Sequence, residues 1–159
     1  MKLRNLSLAA IMFSALCLGA CTATGSVGAN PSPSASVTAS PVAGKMTFTA
    51  NLMGSEEVPA VTTGATGTAT LVVTESTKSG VLNMTFQGLS SAQTDAHIHG
   101  PANKGANADV MIALPTGQVN NYTVTMTDAQ IANLKAGQLY INVHTANNPN
   151  GEIRGQLAM

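Results

Sequence analysis

The segment Leu139-Tyr140-Ile141-Asn142-Val143-His144, followed after a turn by Glu152-Ile153-Arg154-Gly155-Gln156-Leu157, decides how this chain folds. Leu139, Ile141 and Val143 alternate with Tyr140, Asn142 and His144. Successive side chains of a strand point to opposite faces, so this alternation predicts one apolar face and one polar face. The second segment repeats the pattern, with Ile153 and Leu157 opposite Glu152, Arg154 and Gln156. Between them Asn147-Asn148-Pro149-Asn150-Gly151 is a run of turn residues, which predicts a β-hairpin.

The same period of two recurs upstream. Met46, Phe48, Ala50 and Leu52 alternate with polar neighbours, Gly67 to Thr74 ends in Leu71-Val72-Val73, and Val81 to Leu89 passes through Leu82, Met84 and Phe86. Thr74 to Gly80 reads as a turn, while Val110 to Leu114 and Tyr122 to Met126 are further strands. One segment breaks the rule. Thr127 and Gln130 have the spacing of a capping box, Ile131 and Leu134 fall three apart, and Gly137 is a stop, so Asp128 to Lys135 is expected to be a short helix. Short strands joined by Gly/Asn/Pro turns predict a mostly β, antiparallel sandwich or barrel with one short helix, and of the two a Greek-key-like β-sandwich is the form that the resemblance given below implies.

This pattern begins only at Lys45. Ahead of it, Lys2 and Arg4 precede an almost wholly apolar run from Leu6 to Leu18, the layout of a secretory signal and too short for a transmembrane helix of about 20 residues. The run ends in Leu18-Gly19-Ala20-Cys21, which resembles the bacterial lipobox. That resemblance implies removal of residues 1–20 and lipidation of Cys21, with the membrane as a partner through the lipid. Thr22, rather than Asp, follows the cysteine, which points to the outer membrane and periplasm or to a cell surface. Residues 21–44, rich in Ser, Pro, Ala and Thr, cannot bury enough apolar surface to offset their conformational entropy and are expected to be a disordered tether. Residues 45–159 are then the β-domain.

Composition removes several classes of function. Charged residues make up 9% of the chain and aromatic residues 3%, with no Trp. Without Lys2 and Arg4, five basic side chains face seven acidic ones, so there is no basic stripe for nucleic acid and no stacking platform for bases. Cys17 lies in the leader and Cys21 is the lipid site, which leaves the domain to hold together by packing rather than a disulfide. A nucleophilic triad has no Gly-x-Ser-x-Gly elbow and no free thiol to rest on.

The three histidines all fall in strand-like segments. His97 and His99, two apart in Ala96-His97-Ile98-His99-Gly100-Pro101, share one face, and His144 lies on the polar face of its own strand. Imidazole is a common ligand for copper and zinc, so His97, His99 and His144 are candidate metal ligands with a vacant position beside them. The alternative is structural, with the rings bridging strands or pairing with Glu152 or Asp95. Asn142, Glu152 and Arg154 complete the candidate polar binding face, and the loop Ala102 to Ala108, small and polar, is expected to rim it and leave it open to solvent. Glu56 and Glu57, ahead of Val58-Pro59, read as two solvated carboxylates. The methionines are scattered without a Met-x-Met pattern and read as core packing.

Four ordered motifs carry a resemblance to the CHRD domain, the chordin-type domain. They are Phe48 to Leu52 with Gly54-Ser55-Glu56-Glu57-Val58-Pro59, then Ala96 to Pro101, Leu134 to Thr145 and Pro149 to Leu157, with Ala60 departing from a frequent second proline. The resemblance implies an extracytoplasmic β-sandwich without an established reaction. The His-x-His pair, the late histidine and the Gly151 to Gly155 hairpin are also similar, more loosely, to copper-zinc superoxide dismutase. That enzyme needs more ligands than three histidines and a disulfide, so the likeness implies a superoxide-dismutase-like fold without dismutase activity.

The leading expectation is a lipid-anchored envelope protein whose monomeric domain acts as a non-catalytic binding module, for a metal ion, a small anion paired with Arg154, or an envelope protein. A mononuclear copper or zinc metalloenzyme at the three-histidine face, and a purely structural envelope protein, are the alternatives.

Overall fold

The computed structural model describes residues 44–159. The proposed leader, Cys21 and nearly all of the tether lie outside the described residues. Those described form strands β1 (Lys45–Met53), β2 (Thr66–Thr74), β3 (Ser79–Gln87), β4 (Gln93–His99), β5 (Val110–Leu114), β6 (Val119–Thr125), β7 (Tyr140–Thr145) and β8 (Ile153–Gln156), with helix α1 (Asp128–Lys135) between β6 and β7. Among the described residues no helix is long and apolar enough to cross a membrane.

All strand pairs are antiparallel, in the order β5-β4-β7-β8-β1-β2-β3-β6. The seam between β8 and β1 is thin, with Met53 opposite Arg154 and a bridge from Thr49 to Ala158. There the sheet curls into two four-stranded layers, and the chain passes between them after β3, β5 and β6. Phe48, Leu52, Leu71, Leu82 and Met84 from one layer and Ile98, Ile141, Val143 and Ile153 from the other share one buried core. This is the expected antiparallel sandwich, its sides closed by alternate apolar residues. Gly155 admits the close approach at the seam, because a Cβ there would stand 2.4 Å from the Asn51 carbonyl oxygen.

The helix begins and ends at the expected residues. Thr127 accepts from the Gln130 amide while the Gln130 side chain accepts from the Thr127 amide, and Ile131 and Leu134 are buried. Gly137, at φ 69°, and Gln138 close it by donating to the carbonyls of Leu134 and Asn133.

Strand β6 starts three residues before the expected Tyr122. Asn121 takes a left-handed φ of 51°, and the register with β3 shifts between Leu82 and Met84. Such a bulge lets the strand continue past an irregular residue that interrupts the alternation. The outer strand β5 carries a second shift, opposite Ile98 and His99.

Candidate functional site

Pairing of β4, β7 and β8 sets the polar face. His97 lies opposite Asn142, which lies opposite Arg154, while His99 lies opposite Tyr140. Residues paired across antiparallel strands point to the same side, so this register gathers side chains far apart in sequence. The hairpin of β7 and β8 is as expected.

The three imidazoles come together. One ring nitrogen from each of His97, His99 and His144 lies within 4.8 Å of the others. His97 Nδ1 and His144 Nε2 are 3.1 Å apart. His144 Nδ1 is 3.0 Å from the Pro149 carbonyl oxygen, and His99 Nδ1 is 3.0 Å from that of Ala108. A carbonyl only accepts, so in the neutral rings both Nδ1 atoms carry the proton and both Nε2 atoms are left with a lone pair. His99 Nε2 is buried and has no hydrogen-bond partner among the described residues. Asn142 Oδ1 stands 3.0 Å from His144 Nε2, so with the His144 proton on Nδ1 the two atoms are both acceptors and make no hydrogen bond.

Burial pulls the pKa of His97 and of His99 below the ordinary imidazole range. The neighbouring histidines add to the effect on His97, while the Ala108 carbonyl and the Asn142 side chain oppose it for His99. Two of the three convergent rings, His99 and His144, are held through Nδ1 by a backbone carbonyl, the form of pre-oriented metal ligands, while His97 is held through its contact with His144. Nitrogens bound tetrahedrally to one zinc or copper ion at about 2.0–2.1 Å would stand roughly 3.4 Å apart, so a spacing of up to 4.8 Å would have to close by as much as about 1.4 Å.

Tyr140 is layered between two neighbours. The His99 ring stacks on it at 4.9 Å with an interplanar angle of 2°, and the Arg154 guanidinium carbon lies 3.4 Å from its centroid. Arg154 is 2% exposed and donates to Asn107 Oδ1 and the Ala106 carbonyl. The loop from Ala102 to Ala108 does rim the face, but it seals Arg154 rather than leaving it open. Its backbone carbonyls reach inward and take up the buried donors of Arg154 and His99. With the side chain 2% exposed, little of the guanidinium is left at the surface for an anion.

Glu152 is not brought to this face. Strand β8 begins only at Ile153, so the alternation does not extend back to Glu152. Its carboxylate instead accepts from Thr63 Oγ1 at 2.7 Å, the Ser90 amide at 2.9 Å, Ser90 Oγ at 2.8 Å and Thr145 Oγ1 at 2.7 Å. Thr145 shares its side of β7 with Val143, away from the histidines. Burial acts to raise the Glu152 pKa, but these donors outweigh it and hold it down to about 2. Neither Glu152 nor Asp95 hydrogen-bonds a histidine ring, because His99 and His144 take carbonyls instead.

Glu57 departs from its expected solvated state. Glu56 pairs with Lys104 at 2.9 Å, but Glu57 is 7% exposed. Burial pushes its carboxyl up to about 7 against the opposing effects of Arg154 and of its hydrogen bond with the Val58 backbone. Its Oε1 is buried without a partner among the described residues. A Cβ on Gly151 would stand 2.3 Å from that oxygen and 2.9 Å from Asn142 Nδ2, so the two side chains converge over a position only glycine can fill. The invitation to see this in the sequence was the Gly151 hairpin turn, which leaves such a gap, but nothing local links it to Glu57.

The CHRD domain family matches residues 48–157. No curated protein and no solved structure matches the chain.

Proposed function

The chain belongs to the CHRD domain family, and from that premise we propose that it is a non-catalytic binding module that holds one copper or zinc ion on His97, His99 and His144. The observation that carries this reading is the convergence of the rings. His99 and His144 each spend Nδ1 on a backbone carbonyl and turn Nε2 toward the cluster, where His99 Nε2 has no partner among the described residues. His144 Nε2 meets His97 Nδ1 at 3.1 Å, a contact that also bridges strands, so the atom that favours a ligand is the buried His99 Nε2. The N/O donor set suits copper or zinc rather than a hard cation such as calcium.

The lipobox-like sequence before Cys21 supports the rest of the reading. The chain is exported, loses residues 1–20 and is held by lipid on Cys21 at the outer membrane or a cell surface, with residues 21–44 as tether and residues 45–159 as a monomeric domain. Metal titration of the purified full chain tests the site. One equivalent of copper or zinc is expected, lost when His97, His99 and His144 are all replaced by Ala. Absence of stoichiometric uptake, or uptake unchanged by the triple substitution, overturns the metal reading.

A further inference from the structure

Asn142 occupies the middle of the histidine face. On β7 it lies opposite His97 and two residues before His144, so its side chain and theirs share one side of the sheet. Its Oδ1 stands 3.0 Å from His144 Nε2, and the same side chain adjoins His99. With the His144 proton on Nδ1, held by the Pro149 carbonyl, that contact sets two lone pairs against each other. The opposite turn of the amide would let Nδ2 donate to His144 Nε2, but it would carry Oδ1 toward the Glu57 carboxylate. Each orientation therefore opposes two acceptors, and a cation among the lone pairs removes the conflict.

The spacing agrees. His144 Nε2 lies 3.1 Å from His97 Nδ1 and 3.0 Å from Asn142 Oδ1. Ligand atoms about 2.0–2.1 Å from one tetrahedral ion stand roughly 3.4 Å apart, so neither contact has to open by more than about 0.4 Å. At the other end of the amide, a Cβ on Gly151 would touch both Asn142 Nδ2 and Glu57 Oε1, so these two atoms converge on the niche that glycine leaves. Glu57 Oε1 is buried and has no partner among the described residues. A cleft of about 330 Å³, lined in part by Glu57, His99, Tyr140 and Asn142, gives an ion a path to this amide.

The fixed charges around the cluster are mixed. Arg154, opposite Asn142 on β8, repels a cation, although its guanidinium lies over the Tyr140 ring and donates to Asn107 and the Ala106 carbonyl. Glu57 faces Arg154 with the opposite sign, and Asp95 adds a carboxylate opposite His144 on β4.

We propose that Asn142 is the fourth protein ligand of the three-histidine metal centre, through Oδ1, and that Glu57 is its positioning residue, accepting from Asn142 Nδ2. The proposal rests on the metal reading above. Four ligands from the protein make a closed centre, the form of a site that holds an ion rather than one that works on a substrate.

The test is zinc titration of the full chain in competition with a chromophoric chelator. Asn142→Ala is expected to bind zinc ~100-fold more weakly than wild type, while Asn142→Asp, which keeps an oxygen in the same place, binds at least as tightly as wild type. Equal affinity in wild type and Asn142→Ala, or an Asn142→Asp protein as weak as Asn142→Ala, overturns the fourth ligand and leaves the histidine site standing. Failure of wild type to take up zinc or copper overturns both readings. Glu57→Leu removes the acceptor and should weaken zinc about tenfold, a loss that disappears when Asn142 is already Ala. The same loss in both backgrounds overturns the positioning role. Wild type alone supplies a measurement that does not depend on a variant folding. In the isotope-labelled full chain the magnetic resonance signal of the Asn142 side-chain amide is expected to move on zinc addition, because coordination through oxygen polarises the C–N bond. An unmoved signal overturns the proposal.

Discussion

Glu57 and Glu152 are both buried carboxylates in loops flanking the same sheet, yet the fold treats them in opposite ways. Glu152 is 0% exposed and meets four donors, from the β1–β2 loop, the β3–β4 loop and β7. Glu57 is 7% exposed and has an oxygen with no partner among the described residues. Their pKa values accordingly move apart, Glu152 down to about 2 and Glu57 up to about 7. A carboxylate saturated by its own chain is a fastener. One left short of a partner beside a cleft is available to something else.

The contrast breaks most visibly at Glu152. Replacing it by Gln keeps the volume but puts an amide N–H₂ among groups that all donate, and the domain is expected to lose about 4 kcal/mol, read by urea unfolding at pH 7. The pH response has a definite sign. Because its folded pKa is lowered from 4.5 to about 2, the stability Glu152 lends is present above about 4.5 and disappears as pH falls toward 2. A Glu152→Gln protein as stable as wild type would dissolve the distinction.

Glu57→Gln is expected to act in the other direction with a smaller effect. The Glu57 pKa rises from 4.5 to about 7 on folding, so its contribution is fully present below 4.5 and is lost as pH rises through 7. The variant should therefore be more stable than wild type by ~2 kcal/mol at pH 8.5 and close to it at pH 4, checked by thermal unfolding of metal-free protein at both pH values. Destabilisation at pH 8.5 would mean that Glu57 is a second fastener. The smallest change sharpens the account of the first. Thr63→Ala removes one of the four donors to Glu152 and should cost about 1 kcal/mol by urea unfolding, since the remaining donors still hold the charge.

The two carboxylates also mark where sequence reading stopped. Strands β1, β3 and β7 and the helix were legible because their signals are local, a period of two in the strands and a capping box at Thr127 and Gln130. His97 and His99 were legible as a same-face pair for the same reason, and His144 from the alternation of β7. That the three meet depends on β4 lying beside β7, a pairing across more than forty residues that no local pattern encodes. Glu152 was assigned to the histidine face because alternation was extended one residue past the start of β8. Glu57 looked solvated because its environment comes from Gly151 and Asn142, far along the chain. The openness attributed to the polar face failed at Arg154, whose donors are taken by two residues of a loop that composition alone marked as small and polar.

The bulges described for the fold bear on how copies of this domain behave when crowded. A sandwich has free edges, and a free edge is a row of unpaired amides and carbonyls ready to accept a strand from a neighbour. Here the outermost strands are β5 and β6, and both are irregular. Strand β5 has five residues with a register shift opposite Ile98 and His99, and β6 bends at Asn121, whose amide donates to Asn83 Oδ1. Neither offers the long, flat template on which sheets fuse end to end. At high local concentration, such edges would keep neighbouring domains from knitting into fibres.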